Sequence, residues 1–70
     1  MHRVLVSSSD IRSVGYDSDS KVLEIEFHSG GVYQYYAVPQ AVYGQLMSAA
    51  SHGRYFHSHI KGAFAYERVA

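Results

Sequence analysis

The sequence predicts a small α+β domain: a three- to four-stranded antiparallel β-meander followed by two short helices packed on one face. Three observations carry that prediction. Val22 to His28 alternates strictly between apolar and polar residues. Val32 to Val38 is dense in β-branched and aromatic side chains behind a glycine turn. Beyond Pro39 the apolar period changes from two to three and four. The length of 70 residues bounds the chain to one domain, taken here as residues 1–70.

The first strand is expected over Ile11 to Asp17, closed by Asp17-Ser18-Asp19-Ser20, whose side chains bond to nearby backbone and favour a turn. In the second strand Leu23, Ile25 and Phe27 point one way, while Glu24, Glu26 and His28 point to solvent. Ser29-Gly30-Gly31 supplies the positive φ angles of a tight hairpin. The third strand then runs over Val32 to Val38, and either of its faces is apolar enough to be the buried one. Pro39 suits the first turn of a helix, because its missing N–H is no loss there. From Gln40 to Ala50, Val42, Leu46, Ala49 and Ala50 share one helical face, which Tyr43 widens. Gly53 is read as the left-handed residue ending this helix, and Ser51 as the cap of the next. A second short helix over Arg54 to Lys61 turns Phe56 and Ile60 toward the sheet. Gly62 breaks it, and Ala63 to Val69 forms a closing strand or an ordered tail.

Composition narrows the function. Without cysteine there is no disulfide framework, thiolate metal site or cysteine nucleophile. No apolar run approaches the roughly 18 residues of a membrane span, and the short apolar start is not a signal peptide, so a cytoplasmic protein is expected. A chain of this size buries only roughly 60% of its unfolded surface, and self-association into a homo-oligomer is an expected source of further stability. Six Lys and Arg balance six Asp and Glu. The neutrality hides a polarity. Residues 1 to 35 hold five acidic residues against Arg3, Arg12 and Lys21, whereas residues 36 to 70 hold Arg54, Lys61 and Arg68 against Glu67 alone.

The order of short motifs is informative as a set: Val6-Ser7-Ser8-Ser9, Ile11, Gly15-Tyr16-Asp17, Leu23-Glu24-Ile25-Glu26-Phe27, Ser29-Gly30, Tyr33-Gln34-Tyr35, Val38-Pro39, Ala50-Ser51-His52-Gly53 and Ile60-Lys61. Together they resemble the KTSC domain family, named after the C-terminal extension of some lysyl-tRNA synthetases and found also as short free-standing bacterial and phage proteins. The resemblance implies a small α+β fold, a hallmark tyrosine pair at Tyr33 and Tyr35, and, through the synthetase context, RNA binding. It implies no catalytic residue.

Tyr33 and Tyr35 share a strand face, where aromatic rings hold nucleobases at roughly 1 to 3 kcal/mol each. The same rings also suit a core or a subunit interface. Arg54, His57, His59 and Lys61 lie within eight residues and offer donors for a phosphate. His57 and His59 stand about 200° apart on a helix, so they do not pair on a metal. Neither a metal nor a cofactor is expected. No motif activates a serine, so no enzyme is expected either. The function anticipated is capture of a nucleotide-type ligand through Tyr33, Tyr35, Arg54, Lys61, His57 and His59, of the kind by which a phage protein would sequester a nucleotide immune signal. A single-stranded RNA or tRNA binder and a protein-interaction module are the alternatives. RNA demands an extended positive track and therefore a steep loss of affinity with salt.

Overall fold

A computed structural model describes all 70 residues. Five strands form one antiparallel sheet in simple sequence order: β1 (Val4–Leu5), β2 (Ile11–Asp17), β3 (Val22–Phe27), β4 (Gly31–Tyr35) and β5 (Tyr66–Arg68). Between β4 and β5 lie α1 (Gln40–Ser48) and α2 (His52–Tyr55), and α2 continues into a π-helical turn, Phe56–Ile60. The class and the helices on one face are those expected; the sheet has one strand more. Val4–Leu5 is too short to show a period of its own and is a strand only because Val4 and Leu5 pair with Val14 and Ser13. The closing segment is a strand, set against β4 with Tyr66 opposite Tyr35 and Arg68 opposite Tyr33.

The core is the face of the sheet under the helices. Ile11, Val14, Leu23, Ile25, Val38, Leu46 and Ile60 are fully buried, with Tyr35 and Phe56 nearly so. A bulge between Ile11 and Ser13 lets Ile11 and Val14, three residues apart, both point inward. Tyr16 stacks on Tyr43 of α1 at 4.7 Å and donates a hydrogen bond to the Val38 carbonyl. The turns form as their side chains dictate. The Asp17 carboxylate accepts from Asp19 N and the Ser20 hydroxyl, and Ser8 Oγ accepts from the amides of Asp10 and Ile11.

Four local expectations are corrected. The third strand stops at Tyr35, because Ala37 takes a left-handed φ of 57° and rotates Val38 into the core. The first helix stops at Ser48, not Ala50. Ala49 is extended, and the His52 ring closes the helix end by donating from Nδ1 to the Leu46 carbonyl at 2.8 Å. Gly53 accordingly does not terminate α1. It lies inside the first turn of α2, where Ser51 Oγ accepts from Arg54 N as expected of a cap. Finally, Glu24 is not solvated. It is 6% exposed, beneath Arg3 and Gln34.

That last correction exposes a second, polar layer on the sheet's other face. Gln34 donates to Glu24 at 2.8 Å, Arg3 pairs with Glu24 and donates to Ser13 at 2.9 Å, and Ser13 donates to Glu26 at 2.8 Å. The N-terminal segment lies so close over β2 that a Cβ on Gly15 would meet the His2 carbonyl at 2.6 Å. No helix of the chain is long and apolar enough to cross a membrane.

Candidate functional site

The register of β4 decides where its tyrosines go. Tyr33 and Tyr35 stand opposite Ile25 and Leu23, on the helix-facing side. The π-helical turn covers only part of that side. Phe56 packs edge-on against Tyr35 at 5.4 Å and against Phe27 at 5.3 Å. Tyr33 stays half-buried, and Tyr66 on β5 is 61% exposed. An aromatic cleft of about 440 Å³ results, walled by Phe27, Tyr33, Tyr35, Phe56 and Tyr66, with Ser29, His57, Lys61 and Gly62 completing it. Tyr66 ties the wall together, at 6.1 Å from the Tyr33 ring and 5.7 Å from that of Tyr35.

The cleft combines ring faces with cations, and no carboxylate lines it. Lys61 and His57 project from one side of the π-helical turn. The Arg68 guanidinium lies 5.9 Å from the centre of the Tyr33 ring, within cation–π range. Burial, together with the neighbouring hydroxyls of Tyr33 and Tyr66, pushes the Tyr35 phenol up to about 12. At neutral pH that phenol is therefore a hydroxyl that can donate as well as accept. Planar rings, hydroxyls and positive charge are the groups that hold a flat ligand bearing an anionic substituent.

Of the six residues singled out in the sequence, the structure brings Tyr33, Tyr35, His57 and Lys61 into this cleft and leaves two elsewhere. Arg54 is exposed on α2 and does not line the cleft. His59 stacks on Tyr55, one turn back along the helix, at 4.5 Å. Tyr35 has a double role, because it belongs to the buried core as well as to the cleft wall. Sequence reasoning missed Tyr66 and Arg68. Their only local signal is Tyr66-Glu67-Arg68, an alternation too short to place on a sheet face without its partner strand.

Beside the cleft lies a smaller, polar cavity of about 290 Å³, lined by Ser9, Asp10, His28, Ser29, His57 and Phe27. Phe27, Ser29 and His57 line both spaces. His57 Nε2 is 3.4 Å from the Asp10 carboxylate, and His28 Nε2 donates to the Ser8 carbonyl at 3.0 Å. No group of three or more His, Cys, Asp or Glu residues is arranged to hold a metal ion.

Comparison with known proteins places this geometry. A family model described as the KTSC domain matches residues 7–64. The chain is 48% identical over 61 residues to an uncharacterized protein of Stutzerimonas stutzeri, covering 87% of this chain and 86% of that one. It is 45% identical over 62 residues to a lysine–tRNA ligase of Trichormus variabilis, covering 89% of this chain but only 11% of the ligase. Among solved structures, the crystal structure of a KTSC domain protein from Yersinia pestis is 46% identical, with a TM-score of 0.97 over 99% of this chain and 97% of that one.

Proposed function

The chain belongs to the KTSC domain family, and from that premise we propose that it is a non-catalytic protein that captures a nucleotide-type ligand in the tyrosine cleft. The observation that carries this reading is the convergence of Tyr33, Tyr35 and Tyr66 with Lys61 and His57 in a cleft without a carboxylate. A base stacks on the accessible ring faces of Tyr33 and Tyr66, Lys61 neutralises its phosphate, and His57 adds a ring nitrogen for hydrogen bonding beside it. The cleft lies within the size range of small-molecule sites, and a small ligand with one phosphate needs no basic protein. Arg54 is no part of this reading. A free-standing chain of this kind would act by holding its ligand, and sequestration of a nucleotide signal, as by a phage protein, is the role such capture fits. Sites at a homo-oligomer contact would deepen so open a cleft.

RNA is the second reading, favoured by the lysine–tRNA ligase relatives. Salt separates the two. Titration calorimetry with the four ribonucleoside 5′-monophosphates and with single-stranded oligoribonucleotides is expected to show mononucleotide binding whose log K falls only shallowly with log [salt], since a mononucleotide carries no condensed counterion atmosphere to release. Tyr33→Ala is expected to weaken it about fivefold or more, given roughly 1 to 3 kcal/mol per stacked base, and Lys61→Ala about tenfold or more, given roughly 1.5 to 3 kcal/mol for a hydrogen bond between charged groups. Arg54→Ala should change nothing. Oligonucleotide binding with a slope several times steeper, and no mononucleotide binding, would replace this reading with the RNA one.

A further inference from the structure

The tyrosine cleft and the polar cavity are two halves of one groove, since Phe27, Ser29 and His57 belong to both. Their chemistry differs. The cleft holds rings and Lys61, whereas the polar half holds the Asp10 carboxylate and the hydroxyls of Ser9 and Ser29. Asp10 is placed with some care. Its amide bonds Ser8 Oγ at 3.3 Å, its carbonyl accepts from His28 N at 2.9 Å, and its carboxylate touches α2 where Gly53 makes room. A Cβ at Gly53 would stand 3.1 Å from Asp10 Oδ2. Only one side-chain contact, the 3.4 Å one to His57, engages that carboxylate, and Asp10 remains about half exposed to the cavity.

A carboxylate repels a phosphate and accepts hydrogen bonds from hydroxyls, so the two halves of the groove cannot be filled by the same end of a ligand. We propose that the groove selects ribonucleotides: the base lies among the tyrosines, the phosphate at Lys61, and the ribose hydroxyls reach the polar half and donate to Asp10. This rests on the nucleotide reading above and adds the sugar to it. Asp10 is then a specificity residue, with the His57 ring between sugar and base and the Ser9 and Ser29 hydroxyls able to donate or accept around the diol.

The test compares each of the four ribonucleoside 5′-monophosphates with its 2′,3′-dideoxy counterpart by titration calorimetry, on the whole chain and on Asp10→Ala. The Asp10 side chain is exposed enough for the variant to fold, which circular dichroism checks. The whole chain should bind the ribonucleotide about tenfold or more tighter than the dideoxynucleotide, the loss expected for one hydrogen bond to a charged acceptor. Asp10→Ala should erase that difference by weakening the ribonucleotide and not the dideoxynucleotide. Equal binding of both nucleotides by the whole chain overturns the proposal but leaves nucleotide capture standing. Equal weakening of both by Asp10→Ala also overturns it, since Asp10 would then act only through the posture of His57. Failure to bind any of the eight nucleotides removes both readings at once.

Discussion

Ala37 and Glu24 are the residues whose environments depart furthest from what their neighbours in sequence suggest. Ala37 holds φ at 57°, a conformation in which an L-residue's Cβ crowds the following carbonyl. What holds it there is its context: Tyr35 ends the strand in the core, Val38 must also be buried, and one reversed residue between them turns both inward. The Val38 amide, donating to the Lys21 carbonyl at 2.9 Å, locks the result. Ala37 is exposed and loses no contact on replacement. Ala37→Gly should therefore raise stability by about 0.5–1 kcal/mol, the relief of strain exceeding the greater chain entropy of glycine. Urea unfolding followed by tyrosine fluorescence measures this, and a midpoint unchanged or lowered would contradict it.

Among the elements, the helical segment after α1 matters most for the cleft, because it carries Phe56, His57 and Lys61 in one continuous turn. Its start is secured by Ser51, whose Oγ accepts from Arg54 N at 3.2 Å. Its wider π turn closes with Lys61 N donating to the Phe56 carbonyl at 2.9 Å, which brings Lys61 back over Phe56 beside the aromatic wall. Two serines of similar exposure make contrasting predictions. Ser51→Ala removes a cap and should cost about 1 kcal/mol, lowering Tm by about 4–8 °C in a domain of this size. Ser48 Oγ only returns bonds to the Gly44 and Gln45 carbonyls inside its own helix, so Ser48→Ala should leave Tm nearly unchanged. Equal Tm shifts in calorimetry would show that Ser51 does not act as a cap.

At the scale of the whole molecule, the sheet separates two kinds of cohesion. One face is an apolar core under the helices; the other is a polar layer centred on Glu24. Burial pushes the Glu24 carboxyl up, but the Gln34 amide and the Arg3 guanidinium together outweigh burial and hold it below its ordinary value of 4.5. A carboxyl lowered on folding contributes stability that is present above the unfolded value and lost as pH falls through the folded one. Folding stability should accordingly decline as pH drops below about 4.5, Asp17 contributing in the same sense through its bonds to Ser20 and Asp19. Glu24→Gln should cost about 1–3 kcal/mol at pH 7, where Arg3 loses its nearest carboxylate and keeps Glu26 at 3.8 Å. It should cost less at pH 3, so its stability profile is flatter. Denaturation curves at several pH values test this, and parallel profiles would exclude Glu24 as the source.

The chain's own pattern determined the class of fold, the three central strands and the helix face. It also turned Leu23, Ile25, Phe56 and Ile60 inward, since Leu23 to Phe27 alternates and Phe56 and Ile60 lie four apart. These properties are local and periodic, and a periodic property is visible one residue after another. Tertiary structure alone decided the rest. The Tyr33 face and the Val32 face of β4 are similarly apolar, and pairing with Ile25 and Leu23 is what turned the tyrosines toward the helices. Tyr66 reached the cleft, and Arg68 the Tyr33 ring beside it, through a three-residue strand with no pattern of its own, paired with residues more than thirty positions away. Glu24 reads as a solvent-facing strand residue until Arg3, from the other end of the chain segment, closes over it. Each of these depends on which distant backbone lies alongside, and hydrogen-bond register is a property of two strands, never of one.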